Sequence, residues 1–241
     1  MTSSSHPPIH RFSLEVSSEV DLHRNFQLIS ENGITGSMIE IIDVHGKDFA
    51  LMAISNPVHL HVLGPLGHYG FSYNLAADAR IDGDVGIGFG EGFRGGSVRV
   101  RGNAGIGFGV AMRGGTLAVY GSANDRAAAA MVGGELLVRG DVGADVGVGA
   151  YGGTVLIGGD TGPRLGDPQG ELIIFLRGKA ESLTSGMVEA PLRKRDALRI
   201  GLLLINASIR ADAKDFRRIV SERTLIAERE RKRGEVDPNW R

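Results

Sequence analysis

The sequence predicts an all-β fold, a right-handed parallel β-helix of 19-residue coils with a helical C-terminal extension, and three observations carry that prediction. The first is an unbroken period: Gly83, Gly102, Gly121, Gly140, Gly159 and Gly178 follow one another at 19-residue steps. The second is a pair of apolar columns in the same step. Val98, Leu117, Leu136, Val155 and Ile174 form one, and Val100, Val119, Val138, Ile157 and Leu176 form the next. Two residues apart, the columns share one side of a short strand. The third observation is that helical spacing replaces this period beyond Gly178. A unit this short is too small for a helical hairpin of the usual solenoid classes. It makes one coil, and equivalent strands stack about 4.8 Å apart.

Composition sets the frame. Of 241 residues, 42% are hydrophobic and 23% charged, which is enough apolar content for a sizeable core and too much for disorder. No segment approaches the roughly 20 apolar residues of a membrane helix, and MTSSSHPPIHRF lacks the apolar region of a secretory signal, so a cytoplasmic chain is expected. Cysteine is absent, which excludes disulfides, thiolate metal sites and cysteine nucleophiles.

Residues 1–57 read as a small β-rich cap or an irregular first coil. RFSLEVSS alternates like a strand, SMIEIIDVHG reads as a second and GKDFALMAIS as a third. Residues 58–190 read as the β-helix. Within it Val85, Ala104, Ala123, Val142, Thr161 and Ala180 form a second inward column, mostly small, as a narrow interior requires. Corner glycines permit tight bends or a positive φ. Stepping back from Gly83 to Gly64 places Leu60 and Val62 in the two main columns. The column facing the other way runs Arg99, Ala118, Leu137, Leu156, Phe175, polar at its start and apolar later, so something is expected to cover the later coils. Residues 191–241 read as a helical extension with a basic tail. Pro191 can open a helix, Leu192 to Ile209 carries an apolar helical stretch suited to capping the open end of the stack, and a second amphipathic segment starts near Asp212.

The glycine-rich stretch contains Gly147-Val148-Gly149-Ala150-Tyr151-Gly152, which matches GxGxxG. A dinucleotide site requires a helix next, whereas TVLIGG is another strand, so periodic glycine explains the match. A flexible linker fails as well, since linkers do not keep apolar columns in register.

Candidate chemistry is sparse. His59 and His61 share one strand face, with His68 close behind, but no carboxylate follows at a ligand-like spacing, so outward-facing strand residues are the better reading. Asp141 and Asp145 read as turn residues bonding their own backbone. No GxSxG elbow occurs. The arginines are more patterned. Arg101, Arg139 and Arg177 share one column, with Tyr120 and Gly158 between them, and Arg94 and Arg113 form a pair just before the paired glycines. Stacked in register, such charges repel unless acids of a partner or a ligand anion neutralise them; partner docking and a solvated ladder are both open. Residues 193–241 hold 14 Lys/Arg against 8 Asp/Glu. These alternate in sign and stacking aromatics are almost absent, which favours an acidic protein surface over nucleic acid, with Trp240 as an anchor.

The openings GDVGIGFG, GNAGIGFG and GDVGADVGVG, each leading to paired glycines and a short strand, resemble the GXGXG domain, the C-terminal β-helix of glutamate synthase large chains. GDTGPRLGDPQGELIIFLRGKAESLTSGMVE and the later KDFRRIVSERTLI are similar to the stand-alone form, the B subunit of N-methylglutamate synthase and its relatives. The resemblance implies a non-catalytic subunit of a hetero-oligomeric amidotransferase. Glutaminase-like and FMN-binding subunits would be its partners, with FMN, and iron–sulfur clusters where used, outside this chain. The same module occurs as one component of formylmethanofuran dehydrogenase and of the formyltransferase/hydrolase complex, which keeps one-carbon transfer open. A free-standing, anion-binding solenoid is the reading from another class.

Overall fold

The computed structural model describes residues 10–31, 38–206 and 209–232. Its core is one parallel β-solenoid. The chain enters through β1 (His10–Ser13), forms helix α1 (Glu19–Glu31) and returns as β2 (Met38–Ile42) beside β1. One strand per coil follows: β3 (His59–Val62), β4 (Asp78–Ile81), β5 (Ser97–Val100), β6 (Thr116–Val119), β7 (Glu135–Val138), β8 (Thr154–Ile157) and β9 (Ile173–Leu176). From β3 to β9 each strand pairs in parallel with its neighbour in the 19-residue register, as with Leu117↔Leu136 and Val138↔Ile157. Both predicted inward columns are fully buried. The small column forms a second ladder of isolated parallel bridges, running from Leu66↔Val85 to Thr161↔Ala180.

The repeat glycines are required by close approach. Gly83, Gly102, Gly121, Gly140, Gly159 and Gly178 have no left-handed φ, contrary to one of the two roles the sequence suggested. Each instead lies against the backbone of its counterpart one coil earlier. A Cβ on Gly102 would sit 2.6 Å from the Gly83 carbonyl carbon, and one on Gly159 would sit 2.6 Å from that of Gly140. Left-handed backbone occurs elsewhere in the coil, at every second residue of a corner: Gly88, Gly90 and Gly92, then Gly107, Gly109 and Ala111, then Arg126, Ala128 and Ala130. That corner accepts side chains at several positions, as Arg126, Ala128 and Ala130 show. Gly102→Ala is therefore expected to cost about 2–3 kcal/mol through overlap with fixed backbone. Gly107→Asn, a residue tolerant of left-handed φ, is expected to cost under about 1 kcal/mol. Urea unfolding of both variants checks the ranking, and the reverse order would contradict it.

A polar ladder runs beside the glycines. Asp84 Oδ1 accepts from the Asn103 N–H at 2.7 Å, Asn103 Oδ1 from Ser122 at 2.9 Å, Ser122 Oγ from Asp141 at 3.1 Å, Asp141 Oδ1 from Asp160 at 2.8 Å, and Asp160 Oδ1 from Lys179 at 2.7 Å. Asp141 thus binds the next coil, not its own turn. Asp145 likewise pairs with Arg164 one coil on, at 2.5 and 2.7 Å.

Three elements differ from the sequence reading. RFSLEVSS is strand only as far as Ser13, and the residues after it, expected within a β-rich cap, form α1, which buries Leu22, Phe26 and Ile29 and is capped by Ser18, whose Oγ accepts the Asp21 N–H at 3.1 Å. GKDFALMAIS is not a strand. Phe49, Leu51 and Ala53 take the left-handed positions of a corner, and the Phe49 and Ala53 N–H groups donate to His68 and Ser72 of the next coil. Coil geometry therefore begins before residue 58. The segment after Asp212 is not one amphipathic helix either. A short 3-10 turn (Ala213–Asp215) leads into β11 (Arg217–Ser221) and helix α3 (Glu222–Lys232).

Those last elements close the stack. After β10 (Met187–Ala190) and helix α2 (Lys194–Asn206), β11 inserts antiparallel between β9 and β10. The open end is thus covered by a strand, and α2 has a different task. It runs back along the outer face of the sheet, from Asp196 beside Arg218 to Asn206, whose carbonyl accepts Arg99 Nε at 2.9 Å. Its Ile200, Leu203 and Leu204 bury Ala118, Leu137, Leu156 and Phe175, the outward column that turned apolar. Where that column is polar, Glu40, His61, Arg80 and Arg99 stand in register. Among the described residues no helix is long and apolar enough to cross a membrane.

Candidate functional site

Coil stacking converts sequence period into surface columns, and two exposed features dominate the result. One is a ridge along a corner. Arg94 and Arg113 are exposed, and the same 19-residue step adds Leu75, Val132 and Tyr151, which are 44%, 50% and 72% exposed. Successive backbone bonds hold the column in line: Arg94 N–H to Asn74, Arg113 to Phe93, Val132 to Met112 and Tyr151 to Met131, each at 2.7–2.8 Å. Four coil steps make the ridge about 19 Å long. Among the described residues neither arginine has a carboxylate within 4.0 Å. Arginine and tyrosine flanked by aliphatic side chains is the composition enriched at protein interfaces. The sequence reading singled out the arginines and missed their column mates, although the same period marks them.

The second feature lies on α2. Leu198, Leu202 and Ile205 occupy one helical stripe, opposite the residues packed on the sheet, and are 72%, 62% and 74% exposed. Three large apolar side chains exposed on one stripe make a candidate contact surface. The stripe was visible in the sequence only as part of one apolar run.

The Arg101, Arg139 and Arg177 column behaves differently. Arg101 pairs with Asp82 at 3.5 Å, Arg139 lies over the Tyr120 ring at 5.6 Å from its centroid, and Arg177 Nε donates to the Gly158 carbonyl at 2.9 Å. Each takes its partner from the coil below, so this column holds together without acids from outside. Trp240 lies outside the described residues.

The histidines also find partners in the next coil. His61 Nε2 and Asp82 Oδ2 are 2.7 Å apart, and His59 Nδ1 is 3.6 Å from Asp78. Carboxylates therefore do stand beside this histidine face, one coil away rather than at local spacing. Among the described residues no three His, Asp or Glu groups are placed to hold a metal ion. Burial pushes the Asp82 carboxyl up, but hydrogen bonds from His61 and Arg80 outweigh it and hold the group below the usual carboxylate range.

A buried ion cluster ties the C-terminal elements together, and local sequence spacing gave no sign of most of it. Arg193 grips Asp196 with Nε and Nη2, both at 2.7 Å, and also contacts Glu228. Arg218 on β11, 1% exposed, donates Nη2 to Glu228 at 2.5 Å and lies 3.5 Å from Asp196. Burial pushes Asp196 up, yet its bonds to Arg193 prevail and hold the carboxyl below its ordinary value. A group whose folded value is lowered stabilises the fold above its unfolded value, and that contribution is lost as pH falls through the folded value. The wild type is therefore expected to lose melting temperature progressively on acidification below the ordinary carboxylate range. Asp196→Asn should start lower at neutral pH and change less over that window. Thermal melts of both across pH check this, and parallel profiles would contradict it.

A scan of protein-family models returned no match for this chain, and neither did a search of curated proteins.

Proposed function

We propose that the chain is a non-catalytic structural subunit of a multi-chain amidotransferase of the glutamate synthase type, resembling the N-methylglutamate synthase B subunit, and that it bridges a glutaminase-like chain and an FMN-binding chain. FMN, and any iron–sulfur cluster, would belong to the partner. The observation that carries the reading is the pairing of a stiff coil stack with two separate exposed surfaces, the Leu75–Tyr151 ridge and the outer stripe of α2. A bridge between two chains needs one face for each, held at a fixed separation. A ladder of hydrogen bonds and stacked glycines running through every repeat supplies the stiffness. The GXGXG resemblance names the assembly, and its motif falls on the Gly88, Gly90 and Gly92 corner that shapes each coil.

In an extract of its host at low salt, the chain is expected to elute from a sizing column within a larger assembly. Added salt should release it, since charged contacts are screened. Elution at the size of a lone 25.5 kDa chain at every salt concentration would overturn the reading.

A further inference from the structure

A cavity of about 700 Å³ opens beside the ion cluster, between the chain leaving β10, the first turn of α2, β11 and α3. Its size lies within the range of small-molecule sites, about 300–1,000 Å³. We infer that this cavity is a binding site for a small, multiply charged organic anion bearing carboxylate or phosphate groups.

The charge balance points to such a ligand. In the floor, Arg193 and Arg218 are matched by Asp196 and Glu228, two cations against two carboxylates. Lys194, Arg195 and Arg229 also line the cavity and are surplus to that balance. Among the described residues Arg195 reaches only Glu228, at 3.8 Å, and Glu228 is already shared by Arg193 and Arg218. Among the described residues no carboxylate lies within 4.0 Å of Lys194 or Arg229. Three unmatched cations around one concave site favour an anion and disfavour a neutral ligand.

Arg218, almost wholly buried, lies in the floor of the cavity with its Nε 3.5 Å from Asp196 Oδ2 and its Nη2 on Glu228, so the floor is already paired and an anion would be held by the surplus cations of the rim. The first turn of α2 adds its positive helix end to the same space. Pro191, Leu192 and Leu225 form an apolar wall, which suits a ligand with a carbon body more than a bare inorganic ion. The site would serve such a ligand whether or not the chain sits in a larger complex.

Isothermal titration of the full chain at low ionic strength, with citrate and separately with inorganic pyrophosphate, tests the assignment. Saturable binding of at least one probe at one site per chain is expected. Citrate alone would indicate carboxylate ligands, pyrophosphate alone phosphate ligands, and both the shared charge chemistry. Arg195→Gln/Arg229→Gln, at two rim positions outside the core, should weaken binding about tenfold or more, since hydrogen bonds to charged groups are worth about 1.5–3 kcal/mol each. Arg94→Gln/Arg113→Gln, the same charge change on the distant ridge, should leave it unaltered. Lack of saturation with either probe, equal weakening by both variants, or full binding by the rim variant would overturn the site.

Discussion

Phe89→Ala is expected to lower the free energy of unfolding by about 3–5 kcal/mol, the cost of deleting a large buried aromatic from a core that cannot close around the gap. Phe71, Phe89 and Phe108 are fully buried, with ring centroids 5.8 and 6.2 Å apart, so one truncation leaves two rings without a neighbour. Relaxation is limited. Gly70 sits under Phe89 so closely that a Cβ there would lie 3.2 Å from the ring, and backbone ladders on both sides fix the coil spacing. Because each coil contacts mainly its neighbours, the lesion should weaken the coils around β4 to β6 first. Urea unfolding followed by amide exchange measures both the loss and its location. A loss under about 1 kcal/mol would mean that the aromatic stack contributes little and the ladders carry the fold.

The largest functional effect is expected from Arg94→Glu/Arg113→Glu. Reversing two charges at the middle of the ridge should weaken partner capture about 100-fold or more, since like-charge contact and the loss of interface arginines each cost several kcal/mol. Both side chains are exposed and bear no internal ion pair among the described residues, so the melting temperature should stay near that of the wild type. The single reversal Arg101→Glu, whose arginine is tied to Asp82, should affect capture less than either ridge reversal made alone. Quantitative pull-down beside thermal melts separates these outcomes. Unchanged capture by the ridge variant would move the docking surface elsewhere.

How much of this could be read in advance follows from where the information lies. An interval of 19 residues specifies strand register across seven coils, so the buried columns at Val98 and Val100 and the small column at Ala104 were legible from spacing alone. The outward column was equally informative. Its change from Arg99 to Leu137 and Phe175 called for a cover, and α2 provides it. Non-periodic elements were harder. β11 pairs with β9 and β10 across long sequence separations, and Arg217–Ser221 is too short to declare itself as a strand locally. Helix α1 did carry a signal, Leu22, Phe26 and Ile29 at helical spacing behind a Ser18 cap, which the reading of residues 1–57 as a β-rich cap passes over. The glycines show a further limit. The period marks their positions, but only the fold separates Gly102, constrained by the backbone beneath it, from Gly107, constrained by its own φ. The candidate surfaces divide in the same way. The Arg94 ridge obeys the period, whereas the Arg193–Asp196–Arg218–Glu228 cluster unites three elements that nothing local relates.

The bridging role is tested most directly by affinity purification of this chain from its host at low salt, with identification of the associated chains and an absorption spectrum of the eluate. The account predicts a glutaminase-like chain together with a flavin-binding chain, and a flavin spectrum that travels with the latter. A colourless chain recovered alone, or one accompanied by metal-dependent hydrolase subunits, would contradict it.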